Sequence, residues 1–135
     1  MTEYDKIEEL LNGYRYIETE IRGKELQIKN LDISGISIDG MPKGSRVTSS
    51  IETNVLTKER LLQDIKLLEI KKESVENMLD LLTEEETDFV RLKYFKSLSY
   101  RIIQSRLGLS EKYLPKKRVF ILDKLIPFAT ENNLI

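Results

Sequence analysis

The residues best suited to chemistry in this sequence are cations. Lys112, Lys116, Lys117 and Arg118 lie close together with Tyr113 among them, and Arg101 and Arg106 come shortly before. Lysine and arginine at that density neutralise phosphate, and a tyrosine adds a hydrogen bond or a stacking face. Recognition of a nucleic-acid backbone and its base edges is the chemistry they suit. A lysine-arginine run alone is more often a solvated helix face, so the elements that position it decide its meaning.

Those elements follow from local signals. Ser99 can cap a short helix that runs to Leu107. Gly108 then offers the left-handed conformation that ends a helix at little cost, Leu109 packs back, and Ser110 caps a second, basic helix. Helix, glycine turn and basic helix in that order is the sequence form of a helix-turn-helix. In such a unit Lys112, Tyr113, Lys116 and Lys117 enter or flank the major groove, while Arg101, Arg106 and Arg118 hold phosphates. Two residues modify this frame. Gln104 stands where the first helix crosses the second and a small residue is usual. Pro115 lacks the N–H of a regular second turn, so the second helix either starts late, near Tyr113, or has an irregular first turn.

The whole chain narrows the function classes. Its 135 residues contain no cysteine and no histidine. Disulfides, thiolate metal sites and histidine-based nucleophilic catalysis are thereby excluded. The carboxylates are spread along charged faces and no cofactor fingerprint is present, so neither an enzyme nor a cofactor is expected. No apolar run is long enough to span a bilayer, and the N-terminus lacks a signal-peptide pattern, so a soluble intracellular protein without a membrane partner is expected. The net charge of −1 is unevenly placed. Residues 1–82 carry 12 basic and 16 acidic side chains, a balance of −4; residues 83–135 carry 10 and 7, a balance of +3. All 10 of those cations fall within 91–124, against Glu111 and Asp123 alone.

The pattern predicts an all-α fold in two parts: a helical hairpin arm over 1–82, with a loop at 32–57, and a helix-turn-helix domain over 83–135. In the first long helix, 3–31, Ile7, Leu10, Tyr14, Ile17, Ile21, Ile28 and Leu31 form a heptad seam with Lys24 at one step; Leu11 and Leu26 widen it. The second, 57–82, starts at a Thr57 cap and repeats the seam with Leu61, Ile65, Leu68, Val75, Leu79 and Leu82, and Lys72 at one step. The two helices suit an antiparallel coiled-coil hairpin, with Ile7 near Leu82 and Leu31 near Leu61, or pairing with a second chain as a homodimer. Between them, Lys43 and Gly44 lack the rest of a phosphate-loop pattern. Thr83 and Glu86 form a capping box for a third helix, in which Phe89 and Leu92 are core residues. The acidic triplet Glu84–Glu86 is explained by the helix dipole rather than by a metal. Pro127 is expected to end the last helix, leaving residues 128–135 as a tail.

From Leu82 to Leu125 the chain resembles region 4 of sigma-70 factors. The features that carry this are the acidic capped helix, Leu98-Ser99-Tyr100, Leu107-Gly108-Leu109-Ser110 and the basic helix. The full layout, with Ile38-Asp39-Gly40-Met41-Pro42-Lys43-Gly44-Ser45, is similar to phage and prophage transcriptional regulators of the ArpU/RinA type, which control late genes. The resemblance implies double-stranded DNA and RNA polymerase as partners in a bacterial cytoplasm. Two other readings share these residues: a ring-forming small terminase subunit for DNA packaging, and a protein-interaction adaptor that works through its heptad arm.

Overall fold

The computed structural model describes residues 1–36 and 45–135, with side chains for 1–33 and 54–135. The fold is all-α: every regular element among the described residues is helical. Helices α1 (Glu3–Ile36) and α2 (Ser45–Leu79) are long. Helix α3 (Glu84–Val90) continues into a π-helical turn, Arg91–Phe95. Helix α4 (Tyr100–Leu107) is followed by a single 3-10 turn, Glu111–Tyr113, and then by α5 (Leu114–Glu131). The turn residues Asp39 to Gly44, with the phosphate-loop question and most of the Ile38–Ser45 motif, lie outside the described residues.

Three expected boundaries are corrected. Thr57 does not cap α2, which begins at Ser45. No glycine or proline occurs between Ser45 and Leu79, so nothing stops the helix from extending back toward Gly44. Helix α1 likewise runs to Ile36, which leaves most of the expected 32–57 loop helical. Pro127 does not end α5, which continues through it to Glu131. Proline in a helix frees the carbonyl four residues back. Pro127 is exposed and close to the helix end, while Ala129 beyond it is fully buried, so packing holds the last turn together.

The chain forms two compact units, and they do not part at residue 82. One contains Ile17–Ile70, the other Met1–Tyr16 together with Lys71–Ile135. Within the first, Ile17, Ile21, Leu61 and Ile65 are buried, as the heptad seams require. Lys24 reaches Asp64 at 3.6 Å and Lys58 reaches Asp32 at 3.1 Å, so contacts move down α2 as they move up α1. The seam lysine at 24 thus keeps its stem along the apolar line and its charge on a carboxylate. Leu26, expected to widen the seam, is 60% exposed; it sits half a turn away from Ile21 and Ile28.

The second unit holds the main core. Ile7 and Leu11 of α1 and Val75 and Met78 of α2 are fully buried with Phe89, Val90, Ile103, Leu114, Ile121, Leu122 and Leu125. At about 1.5–3 kcal/mol for each such side chain, this burial is the main stabilising term for the unit. The capping box forms as expected: the Glu86 N–H donates to Thr83 Oγ1 at 3.3 Å, and the Thr83 N–H donates to Glu86 Oε1 at 2.9 Å. Phe128, Leu134 and Ile135 pack against the core, so the tail folds back; the Leu134 N–H donates to the Ala129 carbonyl at 2.8 Å.

Candidate nucleic-acid interface

Helix α4 is amphipathic over only two turns. Ile103 is fully buried, while Arg101, Ser105 and Arg106 are exposed. Ser99 holds the extended N-cap backbone, but its hydroxyl makes no capping bond. Gly108 ends the helix at φ 70°, ψ 22°, and its N–H donates to the Gln104 carbonyl at 2.8 Å. A non-glycine residue pays a steric cost there, which is why this position carries glycine.

The start of the second helix is resolved by Pro115. Ser110 leads into the 3-10 turn, and regular α-helix begins only at Leu114. Pro115 then falls in the first helical turn, where its missing N–H would have no partner in any case. Gln104 is half-buried beside this junction. With Arg101, Ser105, Gly108, Leu109 and Ser110 it lines an open groove of about 560 Å³.

Five of the seven expected contact residues are exposed: Arg101, Arg106, Lys112, Tyr113 and Lys116. Among the described residues, none of the four cations in that set has an ion-pair partner. The other two are corrected. Arg118 does not reach outward for phosphate: its Nε donates to Glu8 Oε2 at 2.9 Å, and its Nη2 donates to Glu8 Oε1. Lys117 is mostly covered, and its Nζ donates to Glu85 Oε1 at 2.7 Å.

The Arg118 contact belongs to a polar cluster whose members lie far apart in the chain. Tyr94, 2% exposed, donates its hydroxyl to Glu8 Oε2 at 2.7 Å. Lys93 Nζ stands 4.6 Å from the centre of the Tyr100 ring and 5.4 Å from that of Tyr94. The Arg118 hydrogen bond holds the Glu8 carboxyl below its ordinary range, against the upward push of burial. Glu8 in turn raises the Arg118 pKa. Burial, followed by the bond to Glu8, raises that of Tyr94, and burial lowers that of Lys93. A signal for Arg118 did exist. It lies on the stripe Leu114, Ile121, Leu122, Leu125, and an arginine on an apolar stripe calls for a carboxylate beneath it.

A second pair braces α3 against α5. Lys124 Nζ donates to Glu86 Oε1 at 2.7 Å. Burial pushes the Glu86 carboxyl up, but Lys124 and the two Thr83 bonds together hold it below its usual range. Among the described residues no group of acidic side chains could hold a metal ion.

Residues 3–126 match the family described as "Protein of unknown function (DUF722)". The chain belongs to the DUF722 family. No curated protein and no solved structure matches it significantly. For this DUF722 chain the site therefore rests on its own geometry: two helices joined through the Gly108 bend, with four exposed cations that have no carboxylate partner among the described residues. No helix among the described residues is long and apolar enough to cross a membrane.

Proposed function

We propose that this chain is a sequence-specific, DNA-binding transcriptional regulator of the phage late-gene type, without catalytic activity. Helices α4 and α5 act as a helix-turn-helix, and RNA polymerase is a second partner. One observation carries the reading. Arg101, Arg106, Lys112 and Lys116 flank the Gly108 bend, exposed and without ion-pair partners among the described residues, while the neighbouring Lys117 and Arg118 are each tied to a glutamate. Cations left without carboxylates are the ones free to exchange counterions for phosphates.

The test replaces Lys112 and Lys116 together by alanine and measures duplex binding across a salt series. Both are exposed, so folding is retained. Affinity should fall, and the log–log salt slope should flatten by about 0.9 for each lost phosphate contact. A Lys117→Ala chain should keep the wild-type slope. An unchanged slope in the double variant refutes the assignment.

A further inference from the structure

Helix α5 and the 3-10 turn that leads into it carry two large exposed aromatic residues. Tyr113 is 60% exposed and Phe120 is 58% exposed, although Leu114, Ile121, Leu122 and Leu125 give the helix a complete buried face. Scattered exposed aromatics need no explanation. These two line one groove of about 610 Å³ with Thr83, Glu86, Lys116, Lys117 and Lys124. Phe120 is also held in its outward pose: Lys124 Nζ stands 4.9 Å from the ring centre, and Lys124 is itself fixed on Glu86.

We propose that this face of α5 reads thymine methyl groups, and that the duplex selected by the chain offers thymines about three base steps apart in its major groove. The inference rests on the DNA reading above and sharpens it. A phenyl ring has no hydrogen bond to give, and the apolar group a major groove presents is the C5-methyl of thymine. Seven residues at 1.5 Å rise separate Tyr113 from Phe120 by about 10 Å, which is about three steps of 3.4 Å along a strand. Lys116 between them suits the O6 and N7 acceptors of a guanine. Lys116, Lys117 and Lys124 outnumber Glu86 in the lining of the groove, and this positive balance favours a polyanion over a protein surface as the occupant. Asp123, three residues beyond Phe120, does not line the groove; its carboxylate accepts the Tyr4 hydroxyl at 2.6 Å.

The experiment uses the full chain and a randomised pool of duplex DNA. Duplexes enriched by binding are resynthesised with deoxyuridine in place of thymidine, which removes only the methyl groups. Uracil should weaken binding about fourfold for each contacted methyl. Phe120→Ala should bind thymine and uracil duplexes more nearly alike while keeping the wild-type salt slope. Equal affinity of the wild type for the two duplexes, with Phe120→Ala unchanged, overturns the proposal, leaves DNA binding standing and assigns Phe120 to a protein partner. Failure to enrich any duplex removes the DNA reading and this inference with it.

Discussion

Replacing Glu8 by glutamine should test the contact that turns Arg118 inward. The variant keeps the side chain's size but loses its charge. It weakens the bonds from Arg118 Nε, Arg118 Nη2 and the Tyr94 hydroxyl, all of which end on this carboxylate. The side chains of Glu8 and Arg118 are 19% and 27% exposed, so the cost lies below that of a fully buried pair. Hydrogen bonds to charged groups contribute about 1.5–3 kcal/mol each. With solvent screening and partial retention by glutamine, a net loss of about 2–3 kcal/mol is expected. Urea unfolding at neutral pH reads this loss directly. The pH dependence gives a second readout. Because the folded-state pKa of Glu8 is depressed, its stabilisation is complete above the ordinary carboxylate range and is lost as pH falls through the lowered value. The wild type should therefore lose more stability on acidification than Glu8→Gln. Arg118→Met should cost a similar amount, and the double variant should cost less than the two single losses added together. Additive losses, or a Glu8→Gln chain with the wild-type midpoint and acid profile, would refute the pairing argument.

Two further outcomes follow from backbone geometry. Gly108→Ala meets nothing within 4 Å of the added Cβ, so its cost is conformational: about 1–2 kcal/mol in urea unfolding, with Gly108→Asn milder. Pro127→Ala restores an N–H inside α5 and should stabilise the chain by up to about 3 kcal/mol, seen as a higher urea midpoint.

The sequence discloses local structure well where one short-range interaction decides it. The Thr83–Glu86 box and the Gly108 turn are each settled within four residues, and both appear where their residue types place them. The heptad residues Ile7, Ile17, Ile21, Leu61 and Val75 are buried because periodicity alone selects a face. Thr57 and Pro127 misled for a different reason. A cap or a breaker sets a preference of a few kcal/mol at most, and the surrounding helix and core can exceed it. Met78, fully buried but off the seam, shows the same dominance of packing over pattern. Side-chain roles were least accessible. Lys117 and Arg118 look like their neighbours in sequence, and only partners 32 and 110 residues away separate them from Lys112 and Lys116.

The compact unit that carries α4 and α5 also contains the first 16 residues of the chain. Ile7, Leu10 and Leu11 find their cover in part on residues from Leu114 onward. During synthesis at about 5–20 residues per second, those apolar side chains wait on the order of 5–20 s before α5 leaves the ribosome. Nascent chains therefore display an uncovered greasy segment throughout that interval. A fragment begun at residue 83 inherits the complementary defect, an exposed hollow where the opening helix belongs.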